Sequence, residues 1–520
     1  MIESANRHQK THSPSWVRNC LNIIFSRATI VGCLFIAQLV LIWFLTSNLV
    51  RHSLALYLIA LAFSLLVVVY LVSTRAHPAY KLAWAVLILA LPPMGAVIYL
   101  LYNLLDWPIY RQAVRNQSSF LPPQDMQVWR QTAQLPAAVQ QQMHYLSRFQ
   151  DFPVYRHTQT NYLPLGEDFF ISLQQDLRQA KKFIFLEYYI IQEGQMWDSI
   201  LKILRQQVRK GVQVRLMYDD IGCLLTLPAN YRHQLARFGI KTKVLNRFHP
   251  FSSFQMNNRD HRKIAVIDGQ IGYMSGINLA DEYINAYPKH GHWKDTAIRL
   301  EGLAVQTLTA VFLQLWTADD ETDIDIRPYL SSNKSVASDG WVVPFADDPK
   351  THENISKHVY LNLINKAQKS IFITSPYLVP DNELLVALTL AAKNGVDVTI
   401  IVPGQGDHWY VHLLSQSFYW QFLEAGVRVY EYKPGFIHSK TILVDDEQAV
   451  IGTINCDFRS FYLLYECGTY LYQSRAVSQL RSDIDRTLAI CQPIGLSEVK
   501  EIRFSRLITR SLLRLIAPLI

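Results

Sequence analysis

Two short stretches of this chain carry the residue types that phosphoryl chemistry needs. His261-Arg262-Lys263-Ile264-Ala265-Val266-Ile267-Asp268 and His438-Ser439-Lys440-Thr441-Ile442-Leu443-Val444-Asp445 share the spacing H-x-K-x4-D, and their histidines stand 177 residues apart. Imidazoles titrate near neutrality, so a pair of them can serve as nucleophile and as general acid and base. On an extended strand, residues i and i+2 share a face. His261 and Lys263 therefore point together, as do His438 and Lys440. Asp268 and Asp445 fall at odd offsets and face the other way, which suits support by pairing with a loop or a lysine on the far side. Each block runs on into a polar loop, Ser275-Gly276-Ile277-Asn278 and Gly452-Thr453-Ile454-Asn455. Two lysines with Asn278 and Asn455 offer N–H donors and positive charge where a phosphodiester gathers negative charge in its transition state.

The two copies are expected to meet and form one site, with a catalytic set of His261, Lys263, Asp268, His438, Lys440 and Asp445. The chemistry they suit is transfer through a covalent phosphohistidine. One imidazole attacks phosphorus; the other protonates the departing alkoxide and then deprotonates the incoming hydroxyl. The spacing makes a poor metal site, because a protonated lysine cannot ligate, so neither metal nor cofactor is expected.

The elements around the blocks repeat as well. Phe183–Ile191 reads as a buried strand and 197–208 as a helix stopped by Gly211, with a strand following over 212–218. The second half matches with a strand over 371–379, a helix over 384–393 stopped by Gly395, and a strand over 396–402. Lys-Gly-Val-x-Val and Asn-Gly-Val-x-Val occupy the same place in the two copies, and 238–244 corresponds to 425–430. The first copy carries an insertion over 248–258, rich in Phe, Ser and Asn, which reads as an exposed loop near the site. This alternation predicts an α/β protein with two repeated domains, at 156–330 and 341–500, their sheets covered on both faces and joined by a linker near 331–340.

Ahead of the repeat the composition changes. After a basic segment, 1–27, come three uncharged apolar runs at 28–50, 53–73 and 82–105, each long enough to cross a bilayer core. The third is broken by Pro92-Pro93-Met94-Gly95 and is expected either to kink or to double back as a hairpin. Basic residues before the first run (Arg7, Lys10, Arg18, Arg27) and after the second (Arg75, Lys81) favour the cytoplasmic side. Three full spans would put the repeat outside, and a re-entrant third would put it inside. Residues 106–155 read as a polar connector near the membrane surface.

The net charge of +8 suits an anionic partner, and the apolar runs argue for lipid and against nucleic acid. Six scattered cysteines form neither a disulfide framework nor a zinc pattern. At the C-terminus, Arg503, Arg506, Arg510 and Arg514 share one side of a helix over 501–520, and Phe504, Leu507, Ile508, Leu512, Leu515 and Ile516 fill much of the rest. Such a helix either lies in an anionic lipid surface or packs on the second domain with a solvated arginine face.

The paired blocks resemble the phospholipase D superfamily. The longer context is similar to its bacterial cardiolipin synthases, on Gly276-Ile277-Asn278-Leu279-Ala280-Asp281-Glu282-Tyr283, Trp293-Lys294-Asp295-Thr296, Thr374-Ser375-Pro376-Tyr377-Leu378-Val379-Pro380-Asp381, Gly452 to Phe461 with Glu466, and Leu91-Pro92-Pro93-Met94-Gly95 followed by Tyr99. This resemblance implies a multi-pass protein of the bacterial cell membrane acting on phosphatidylglycerol. One molecule would be attacked with loss of glycerol, and the phosphatidyl group would pass to a second, giving cardiolipin. It further implies His261 as nucleophile and His438 as acid and base, with Asp295 orienting His438 and Glu466 orienting His261. The alternative within the superfamily is a phospholipase D-type phosphodiesterase that hydrolyses phospholipids.

Overall fold

The computed structural model describes residues 36, 40, 43–44, 54–104, 121–247, 258–318, 325–330, 336–351, 353–500 and 504–519. The basic segment 1–27, nearly all of the first apolar run, the insertion at 248–257, the first part of the connector and Arg503 lie outside the described residues.

Runs of branched and aromatic residues bounded by glycine turns give the strands of two sheets. The first sheet is built from β1 (Thr158–Leu163), β2 (Phe183–Tyr188), β3 (Gln213–Asp219), β4 (Lys241–Leu245), β5 (Ile264–Ile267), β6 (Ile271–Ser275) and β8 (Ala297–Gly302), and the short β7 (His292–Lys294) stands apart from it. The second uses β9 (Trp341–Ala346), β10 (Ser370–Thr374), β12 (Asp397–Pro403), β13 (Arg428–Tyr432), β15 (Thr441–Val444), β16 (Gln448–Gly452), β18 (Cys467–Tyr472) and β19 (Cys491–Pro493). Short β11 (Leu378–Val379), β14 (Gly435–Ile437) and β17 (Cys456–Asp457) lie beside it.

The first sheet runs β1-β8-β6-β5-β2-β3-β4. The second runs β9-β18-β16-β15-β10-β12-β13, with β19 added at the edge. Strand for strand the order is the same. In both, three strands are parallel and the strand that follows the histidine block returns antiparallel beside the first of them. Gly211 and Gly395, at φ +89° and +91°, end equivalent helices in a backbone conformation that side chains disfavour. One apolar core runs from β5, β6 and β8 into the second sheet, while a second core covers the other face of the first.

The N-terminal part is a helical cluster. Helix α1 (Leu54–Ser73) has 20 residues and rises about 30 Å, enough to cross a hydrocarbon core. Helices α2 (Pro78–Ala90) and α3 (Met94–Leu104) are far shorter, at 13 and 11 residues. They double back on each other: the rings of Trp84 and Tyr99 lie 5.3 Å apart, and a Cβ on Gly95 would come within 2.6 Å of the Leu87 carbonyl oxygen. The third apolar run is therefore a hairpin turned at Pro92-Pro93, rather than a kinked span. Lys81 closes the end of α1 by donating to the carbonyls of Val72 (2.8 Å) and Thr74 (2.6 Å).

This cluster is pinned to the second domain through His77. Its Nε2 lies 3.2 Å from Glu383 at the start of the helix that carries Leu384, and its ring packs on Phe458 and Tyr462. Residues 121–155 pack into the globular core through Val139, Met143 and Leu146, and the Tyr145 hydroxyl donates to Glu353 at 2.5 Å. These apolar residues, interleaved with glutamines, are buried here in the core.

Candidate active site

His261 and Lys263 lie on extended backbone just before β5, and His438 and Lys440 occupy the same place before β15. Each histidine segment is zipped onto the other domain. The His261 N–H donates to the Tyr465 carbonyl (3.0 Å), and the Tyr465 N–H returns a bond to Arg259 (2.9 Å). In the other copy β14 pairs in parallel with β7, and the His438 N–H donates to the Lys294 carbonyl at 2.7 Å. The residue after each partner is an acid. Register alone therefore brings Glu466 to His261 and Asp295 to His438.

His261 Nδ1 lies 3.0 and 3.1 Å from the two oxygens of Glu466, and His438 Nδ1 lies 2.6 Å from Asp295 Oδ2. Both acids are fully buried. Glu466 also accepts from Ser460 (2.7 Å) and Thr453, while Asp295 accepts from the Thr296 N–H at 2.8 Å. An acid held on Nδ1 fixes the ring and leaves Nε2 to face the reactant. The lysines are tethered alike: Lys263 Nζ donates to the His261 carbonyl (2.6 Å) and Lys440 Nζ to that of His438.

Burial dominates the electrostatics. It drives His261 well below its ordinary range, and the charges of Lys263, Lys440 and Arg459 push the same way. Burial, reinforced by Lys440, lowers His438 to about 4 against the pull of Asp295. Lys263 falls to about 8 and Lys440 to about 7, again chiefly by burial. Each block feels the charges of the other, the electrostatic mark of one shared site. A phosphate monoanion held between the lysines would offset part of their field at His438 and favour its protonated ring.

Asp268 and Asp445 stand at the far ends of β5 and β15, away from the imidazoles. Both adopt φ +54°, and each accepts backbone N–H bonds: Asp268 from Lys181, Lys182 and Phe183, Asp445 from Gln368, Lys369 and Ser370. They close the turn before β2 and β10. Among the described residues neither is paired with a lysine side chain. Asn278 is committed within its own domain, accepting from the Ile190 N–H (3.0 Å) and donating to the Tyr283 hydroxyl (2.6 Å). Asn455 instead lines the cavity, and its buried Oδ1 has no hydrogen-bond partner among the described residues.

That cavity, about 260 Å³, reaches His261. Among the residues that line it are Tyr189, Arg259, Tyr377, His408, Tyr410 and Arg459, for which the spacing of the blocks gives no role. Arg259 and Arg459 do carry a signal, since one lies two residues before His261 and the other four after Asn455. The aromatic residues come from loops and the first turn of the helix Trp409–Gln416, which converge only in three dimensions.

The family model described as cardiolipin synthase, PLD-like domain, matches residues 173–316 and 360–488. A second, described as phospholipase D-nuclease N-terminal, matches 60–102. A cardiolipin synthase of Halalkalibacterium halodurans is 35% identical over 85% of this chain and 90% of its own length. The chain belongs to the cardiolipin synthase family. Another member, from Alkalihalophilus pseudofirmus, is 32% identical over 97% of this chain and 100% of its own length, so the likeness includes the membrane cluster. Among solved structures, a phosphatidylserine synthase of Haemophilus influenzae Rd KW20 superposes with a TM-score of 0.55 over 73% of this chain and 97% of its own, at 17% identity. That likeness concerns the fold. Both family segments contain one histidine block, so the matched halves are the two halves of the site.

Proposed function

We propose that this protein is a membrane-anchored phosphatidyltransferase that joins two phosphatidylglycerol molecules into cardiolipin and releases glycerol. The observation that carries the reading is the pair of imidazoles, His438 buried and His261 partly so, each backed on Nδ1 by an acid from the opposite domain, with a buried lysine two residues after each. His261 is assigned as nucleophile because, of the two block histidines, it is the one that lines the cavity. Its Nε2 attacks phosphorus, the bond to the glycerol oxygen breaks, and His438 gives that oxygen its proton. His438, now neutral, takes the proton of a glycerol hydroxyl on the second phosphatidylglycerol. The hydroxyl oxygen attacks phosphorus, the phosphorus–nitrogen bond breaks, and cardiolipin leaves. Lys263, Lys440 and Asn455 hold the non-bridging oxygens, and burial keeps bulk water from competing for the intermediate. Asn278 supports this site by fixing the loop after β6.

The same reading places the reaction on the cytoplasmic leaflet. One span within 28–50, a second in α1 and the re-entrant α2–α3 hairpin leave both basic clusters and both catalytic domains on one side.

The deciding experiment supplies the purified full chain in vesicles with phosphatidylglycerol labelled in its glycerol headgroup and in its phosphate. Labelled cardiolipin and free glycerol in equal amounts are expected. Phosphatidic acid as the sole lipid product would overturn transfer in favour of hydrolysis. Acid-sensitive, base-stable phosphate label should be recovered on the peptide containing His261, and His261→Ala should lower turnover on the order of 10⁴-fold.

A further inference from the structure

The C-terminal helix, Phe504–Ile516, does not sit as its composition suggests. Its described arginines turn inward: Arg510 donates to Gln416 (3.1 Å), and Arg514 donates to Gln421 (2.6 Å) and stacks over the Phe418 ring at 4.2 Å. The opposite stripe is apolar and open. Ile508, Leu512 and Ile516 recur every four residues, and they are 45%, 60% and 41% exposed. A solvated stripe of large aliphatic residues is costly, so something apolar covers it.

Its neighbours show what does. The helix packs between the membrane hairpin, through α2, and the helix Trp409–Gln416. Leu82, Val86 and Leu89 on α2 are exposed, as is Trp409, an amphipathic ring of the kind that settles at lipid headgroups. The helix Asn382–Lys393 is tied to the hairpin by the His77–Glu383 contact, and it adds exposed Val386 and Leu390. The stripe thus continues the surface that the hairpin turns to lipid. Just beyond the helix, buried Ala517 lines the cavity that holds His261.

We propose that the C-terminal helix is the membrane-seated rim of the active-site cavity. Its Ile508–Leu512–Ile516 stripe enters the boundary between headgroups and acyl chains, and the turn that follows it walls the cavity through Ala517. A glycerophospholipid headgroup then reaches His261 while its acyl chains stay in the bilayer. The arginines act inward as struts that hold the rim on Gln416, Phe418 and Gln421. This deepens the phosphatidyltransferase reading and rests on it for the substrate class alone.

Two measurements on the full chain test it. The first reads seating without reference to catalysis. Leu512→Cys carrying a bimane fluorophore, in vesicles of phosphatidylglycerol and phosphatidylcholine, should be quenched by lipids brominated on their chains, above the background of the unsubstituted chain treated in parallel. Quenching only by aqueous iodide would overturn the proposal. The second compares substrates. The double variant Ile508→Glu, Leu512→Glu should lose about ten-fold or more of the activity on long-chain phosphatidylglycerol vesicles while staying within about two-fold on dispersed short-chain phosphatidylglycerol, which needs no bilayer seat. Equal losses on both substrates, or no loss on either, would overturn it. A wild-type chain that made cardiolipin from neither substrate would sink the function proposed above, and the bimane result would still decide the seating.

Discussion

At the scale of single residues, the site is arranged so that its lysines are only marginally charged until substrate arrives. Burial lowers Lys440 to about 7 and Lys263 to about 8. A lysine with a lowered value is charged below it and neutral above it, and only the charged form attracts phosphate. Capture of substrate by the free enzyme should therefore fall as pH rises from about 7 through 8. The profile of kcat/KM against pH, which reports groups of the free enzyme, is expected to show that alkaline limb. Lys440→Arg, charged throughout this range, should lose the part of the limb that begins near 7 and keep the part belonging to Lys263. An unchanged limb in the variant would show that Lys440 does not set it. The H-x-K spacing made these lysines legible in the sequence, because two residues apart on extended backbone means a shared face. The cavity residues were not legible: Tyr377, His408 and Tyr410 line the cavity of His261 from segments whose convergence no local spacing encodes.

At the scale of elements, the two aspartates of the blocks are turn-closing residues. Asp268 gathers the N–H groups of Lys181, Lys182 and Phe183 at 2.7–2.9 Å, holding the entry to β2 against the end of β5. Removing that carboxylate leaves three donors without their acceptor and an alanine in a left-handed conformation. Asp268→Ala should cost about 1–3 kcal/mol, seen as a lower Tm in detergent, with turnover per folded molecule largely kept. A collapse of kcat at unchanged Tm would instead make Asp268 part of the chemistry. The odd offset of the aspartates within the blocks already pointed to support. Their partners were unreadable, since the loop before β2 lies some eighty residues upstream. Strands and helices were readable because apolar period and glycine stops are local. The direction of the C-terminal helix was not: helical spacing separates arginines from aliphatics, but it does not say which face meets protein. Here the guanidiniums find Gln416, Gln421 and Phe418, and the aliphatic face is left exposed.

At the scale of the whole molecule, neither domain holds a complete catalytic unit. Each histidine takes its acid from the opposite domain, and the same strand order in both sheets makes the two exchanges equivalent. Such a site works only if both domains lie on one side of the bilayer and close to it, which constrains the N-terminal helices. Helix α1 is long enough to cross, whereas α2 and α3 rise only about 20 and 17 Å and turn back at Pro92-Pro93. The end of α3 therefore turns back toward the side where α1 ended and where His77 meets Glu383. Positive residues favour the cytoplasm, so the exposed loop after β3 should lie there too. Leu225 on that loop is 82% exposed, and a cysteine in its place can be reached by a membrane-impermeant maleimide. Leu225→Cys is expected to label in inverted membrane vesicles and to stay unlabelled in intact cells, relative to the unsubstituted chain. Labelling in intact cells would require α2 and α3 to cross fully, against the short hairpin, and would move cardiolipin synthesis to the outer leaflet.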